Sequence, residues 1–127
     1  MADQKSQSTF DWEKSKSEDP MLQSMPELVA PGDLSVEQSA RFSQLSTFCQ
    51  SAYSEYGVKA SDKNASQRDI LMAESAYDQM VLEADKYFKT LAKDPKAYEK
   101  WTRGRSMPTL MNAFAALILH YGDELGK

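Results

Sequence analysis

The chain of 127 residues has room for one domain. Its formal net charge of −4 excludes a protein that coats nucleic acid through global charge, and its single cysteine, Cys49, excludes an intramolecular disulfide or a paired-cysteine metal site. Residues 1–5 lack the apolar core of a signal peptide, and the longest apolar run, 113–119, is far below the ~20 residues a spanning helix needs, so a cytoplasmic location is expected.

Residues 1–34 read as a polar N-terminal arm, rich in Ser, Lys, Asp and Gln and broken by Pro20, Pro26 and Pro31. Its poor periodicity predicts extended or disordered structure. Two apolar islands interrupt it, Phe10 with Trp12, and Met21, Leu22, Met25, Leu28 and Val29. Asp19-Pro20 has the form of an N-cap followed by a proline at the first helical position, so a short turn is expected there, stopped by Pro26.

The helical domain is expected over 35–127. Ser35 and Gln38 have capping-box spacing, and Leu45, Phe48, Cys49, Ala52, Tyr53 and Tyr56 then recur in helical steps, with Gly57 as a candidate left-handed terminator. Residues 58–65 read as a loop. A second helix starts near Ser66, where Asp69 takes the distal place of a capping box. Its stripe of Ile70, Ala73, Tyr77, Met80, Ala84, Tyr87 and Leu91 alternates steps of three and four, and Leu71, Val81 and Phe88 widen it. That width predicts packing against two neighbours.

Asp94-Pro95 predicts a short helix to about Thr102, ended by Gly104. Ser106 and Pro108 open a last helix with the stripe Leu110, Met111, Phe114, Leu117, Ile118, Tyr121 and Leu125. No segment alternates as a strand does. The expected fold is all-α: a small antiparallel helical bundle of three long helices plus one short helix, behind the arm.

Chemistry is sparse. His120 precedes Asp123 and Glu124 at helical spacing, but a metal site needs at least three protein ligands, and a histidine near a helix C-terminus is more simply explained by the dipole. Cys49 falls in an apolar stripe, where a thiol stays protonated. No serine sits in a nucleophile elbow, and the glycines at 32, 57, 104, 122 and 126 form no phosphate loop. The reading is no enzyme, no cofactor and no metal.

Charge is segregated. Residues 86–105 carry seven basic and two acidic groups, a net of +5 against −9 for the remainder. Lys89, Lys93, Lys96, Lys100, Arg103 and Arg105, with Trp101 among them, form a candidate anion-binding set; the competing reading is a solvated face whose aromatics point inward. Phe10, Trp12, Met21, Leu22, Met25 and Leu28 are candidate partner anchors, unless the arm folds back to complete the core.

These features predict a non-enzymatic interaction module, adaptor or small assembly subunit, docking through its arm and one helical face onto another protein or a second copy. The alternatives are a nucleic-acid-associated subunit using 86–105 and a small acidic regulator or inhibitor. A membrane surface ranks last among the partners.

Overall fold

A computed structural model of the protein describes residues 11–57 and 62–126. Phe10 lies outside them, as does the first half of the expected loop, residues 58–61. Among the described residues the chain is all-α, with no strand. The elements in order are α1 (Trp12–Glu18), α2 (Pro20–Gln23), a 3₁₀ turn (Pro31–Asp33), α3 (Val36–Ala52), a π-helical turn (Tyr53–Gly57), α4 (Gln67–Leu91), α5 (Pro95–Thr102) and α6 (Met107–Leu125).

The helix starts follow local side-chain chemistry. Ser35 accepts from the Gln38 backbone N–H at 3.1 Å while its own N–H donates to the Gln38 side chain at 2.8 Å. Ser66 and Asp69 repeat that exchange at the head of α4, and Asp94 caps α5 through the Ala97 N–H. Each exchange satisfies backbone donors that the first helical turn leaves without partners. The end of α3 departs from expectation. It runs into the π-helical turn, and among the described residues the positive-φ position is Gly104, at 75°, just beyond α5.

Residues 11–34 of the arm also depart from the extended or disordered expectation. Asp11 caps α1 through the Lys14 N–H, and Asp19 caps the proline-led turn α2 through the Met21 N–H. Tertiary contact then holds what local propensity leaves open. Met21, Leu22 and Leu28 are buried in the same cluster as Phe42, Phe88, Leu91, Trp101, Phe114 and Tyr121. The backbone pairs with the end of α4: Val29 N–H donates to Leu91 O at 2.8 Å and Lys93 N–H to Glu27 O at 3.1 Å. An isolated antiparallel bridge joins Leu28 and Ala92 at the same place.

The centre of the core is aromatic. Phe88 of α4 stacks on Phe114 of α6 with centroids 6.0 Å apart, and meets Tyr87 and Tyr121 edge-on. Phe42 of α3 closes the group against Tyr87 and Tyr121. The tyrosine hydroxyls reach backbone oxygens at the rim, Tyr87 to Gln38 at 2.8 Å and Tyr121 to Val29. Each ring is therefore buried without stranding its polar tip.

The burial along α4 is lopsided. Its buried residues are Met80, Val81, Ala84, Tyr87, Phe88 and Leu91, all in the C-terminal half. The apolar stripe continues unbroken through Tyr77, Ala73 and Ile70, yet none of these is buried. At 25 residues, α4 outruns both α3 with 17 and α6 with 19, about 37 Å against ~26 and ~28 Å.

Candidate interaction surfaces

The described apolar residues of the arm, Trp12, Met21, Leu22, Met25, Leu28 and Val29, pack into or against the chain's own core. Leu22 is 1% exposed, Met21 and Leu28 are buried, and Met25 is half-buried against the cluster. Trp12 lies half-buried on α6, its ring stacked on His120 at a centroid distance of 4.3 Å and an interplanar angle of 19°. His120 also meets Tyr121 edge-on at 5.9 Å.

The basic segment divides into spent and open charges. Trp101 is buried, and its indole N–H donates to Met21 O at 2.8 Å, a link across 80 residues that fastens α2 to α5. It therefore has no face to offer a base or headgroup. Lys89 pairs with Glu99, and the bond raises the lysine pKa and lowers that of the carboxyl. Lys93 pairs with Glu27 at 3.0 Å. Arg105 donates through Nε to Trp101 O at 3.1 Å, leaving the far end of its guanidinium at the surface. Lys96, Lys100 and Arg103 stand exposed on the outer side of α5.

Buried hydroxyls hold this region in place. Tyr98 donates to Asp85 Oδ1 at 2.9 Å, and burial with the adjacent carboxylate pushes its pKa up. Burial likewise raises Tyr121, and takes Tyr87 to about 12. Cys49 is half-buried, and its thiol is pushed up by burial and then by Glu83, which disfavours the nucleophilic thiolate. Among the described residues, no three His, Cys, Asp or Glu side chains are placed to hold a metal ion, and no helix is long and apolar enough to cross a membrane.

Two shallow clefts mark the surface. One, of about 590 Å³, lies between the arm and α6, lined by Ser15, Glu18, Asp19, Arg105, Thr109 and Asn112 among others. Its walls mix both charges. The other, of similar volume, runs between α3 and α4 over Leu45, Phe48 and Tyr87, rimmed by Arg41, Glu83 and Lys86.

The most pronounced surface feature includes four residues that the apolar stripes predict for the core, Phe48, Tyr53, Ile70 and Leu71. Large apolar side chains are exposed at Phe48 and Tyr53, at Ile70, Leu71 and Met72, and at Leu82. Tyr53 is 63% and Ile70 41% exposed, although Ile70 keeps the register of the buried Ala84 and Leu91. Tyr53, Ile70, Leu71 and Met72 lie on the π-helical turn and the first half of α4, which pack against each other, whereas Phe48 faces the cleft beside Glu83, Lys86 and Tyr87. The α3 side carries no charged residue from 42 to 54. A second charge-free surface runs along α6, which has no Asp, Glu, Lys or Arg from 107 to 122 and exposes Met107 and Leu119. The stripe from Ile70 to Leu91 keeps one register throughout, so its spacing alone does not mark which half is covered.

No protein-family model, curated protein or solved structure matches this chain.

Proposed function

We propose that the protein is a non-enzymatic helical interaction module, a small antiparallel bundle of three long helices and one short one, serving as an adaptor or small subunit of a larger protein assembly. The observation that carries this reading is the exposed apolar surface of the π-helical turn and the first half of α4, where Tyr53, Ile70, Leu71 and Met72 stand open to solvent although the core-register stripe runs on through Ile70. Monomeric proteins seldom leave contiguous apolar helix faces open unless another surface covers them. The neighbouring stretch of α3 lacks charge, and charge depletion is the compositional mark of an interface core. The occupant with matching chemistry is an apolar helix of another protein, laid into the place that a longer α3 or α6 would fill. On this reading the docking face lies on α3 and α4, while Met21, Leu22 and Leu28 of the arm stay within the chain.

The test is reciprocal capture from the native cell using the full chain and the variants Ile70→Asp and Tyr53→Asp. A partner retained by the full chain and lost with both variants supports the reading. A partner retained equally by both variants removes it. Charge reversal at Lys100 and Arg103 serves as the control, and should leave that partner bound.

A second reading has one observation in its favour, the exposed Lys96, Lys100 and Arg103 on α5. They suit phosphate contact by charge alone, since Trp101 and Tyr98 are buried and unable to stack. Retardation of RNA or DNA that fades steeply with salt, and vanishes on reversing Lys100 and Arg103, is the result it requires.

A further inference from the structure

The outer face of α4 carries a pattern complementary to its own reverse. Leu71, Ser75, Asp78, Leu82, Lys86 and Lys89 follow one another in steps of three and four, so they share one side of the helix, and all six are exposed. Leu71 and Leu82 are 58% and 57% exposed. On this face the charge changes sign from Asp78 to Lys86 and Lys89, and the helix as a whole follows the same trend. Residues 69–85 hold five carboxylates, Asp69, Glu74, Asp78, Glu83 and Asp85, with no lysine or arginine, and the basic segment begins at Lys86. The contacts of Lys89 with Glu99 and of Tyr98 with Asp85 keep α5 beside the positive end, where Lys96 and Lys100 add to it.

We propose that this face pairs with the same face of a second copy, the two α4 helices lying antiparallel about a two-fold axis at Leu82. Asp78 and Lys86 are each four residues from Leu82, on opposite sides of it in sequence. Reversing one helix against the other therefore sets Asp78 of each copy level with Lys86 of its partner, and one turn from Lys89. Ser75 falls level with Lys89, and Leu71 reaches past the end of the partner's α4 at Leu91. Leu82 packs on its own counterpart at the axis. A parallel arrangement stacks like charges along the whole seam and is disfavoured. An isologous contact of this kind closes after two copies and leaves no free end to propagate.

The contact is a single helix pair, at the small end of interface sizes, so it belongs to the weak and transient class. Its charges are solvent-exposed, so salt weakens it. It uses a different side of α4 from the Ile70–Tyr77 stripe, so it goes beyond the docking reading and either can fail without the other.

The test is the association constant of the full chain by sedimentation equilibrium at low and high salt, with circular dichroism to confirm the fold of each variant. A dimer with a dissociation constant on the order of 10–100 µM at low salt is expected. Leu82→Glu should abolish it. Asp78→Lys alone and Lys86→Glu alone should each weaken it, on the order of tenfold, because each turns two attractive pairs into repulsive ones. Mixing those two variants should restore association as a heterodimer, since both cross-pairs are then of opposite sign. A chain that stays monomeric to about 1 mM, well past that range, overturns the proposal. So does a dimer indifferent to Leu82→Glu, or a mixture that associates no better than its separate components. Loss of self-association with Ile70→Asp but not with Leu82→Glu would assign dimerisation to the docking stripe and refute the antiparallel α4 pair.

Discussion

Replacing Leu22 by alanine asks whether the arm belongs to the cooperative core or merely rests on it. Leu22 sits in a four-residue helix and is 1% exposed, with Met21 buried beside it. Removing three carbons from a fully buried leucine forfeits their transfer energy and leaves a cavity, a cost of about 2–5 kcal/mol. The site is pinned on two sides, by Trp101 donating to Met21 O and by the Val29–Leu91 backbone bond, so it has little freedom to collapse. A value near 3 kcal/mol is therefore expected, equivalent to a drop of roughly 10 °C in melting temperature for a chain this size. Urea and thermal unfolding, followed by circular dichroism and tryptophan fluorescence, measure it. Leu71→Ala is the matched control, since its leucine is mostly exposed and the same truncation should cost within about 0.5 kcal/mol. Equal midpoints for the two variants would refute the reasoning. So would a Leu22→Ala protein that frees the arm to proteolysis while the main transition stays in place, because the arm would then be a separate unit.

Removing the cap hydroxyls by Ser35→Ala or Ser66→Ala should each cost about 1 kcal/mol in unfolding free energy, since both exchange a side-chain bond with the third residue of their helix. Two glycines should respond in opposite directions. Gly122→Ala meets only the Phe42 ring at 3.8 Å, an ordinary contact within a helix, and should stabilise by up to about 1 kcal/mol, whereas Gly104→Ala, at φ 75°, should destabilise by roughly 1–2 kcal/mol. Stability should fall as the pH rises above 10. Tyr87 has its pKa raised from 10.0 to about 12, and Tyr98 and Tyr121 are raised as well, so the unfolded chain releases protons first and the neutral-tyrosine contribution is lost through the window above 10. Titrating the unfolding midpoint from pH 8 to 12 checks the sign, and a midpoint that holds level or rises contradicts it.

Much of this protein is written in short-range patterns. The all-α class, the starts of α3, α4, α5 and α6, and the proline-led turn at Asp19 follow from caps and apolar spacing, because a helix start is decided by side chains within three or four residues of it. Local pattern failed where partners are distant. The arm has no periodicity of its own, and it is ordered by Leu22 reaching the core and by Trp101, 80 residues away, donating to Met21 O. Trp101 stood among the lysines as a candidate contact for an anion, and only packing shows it buried, with Met21 O as its partner.

The stripe on α4 shows most clearly where the division falls. Its register is a property of the sequence, since the spacing of Ile70, Tyr77, Ala84 and Leu91 sets them on one side of any helix they form. Which part of that side is covered depends on the lengths and positions of α3 and α6, so burial begins only at Met80. An amphipathic pattern states which face can be buried; whether it is buried depends on the neighbours, and that only the tertiary structure decides.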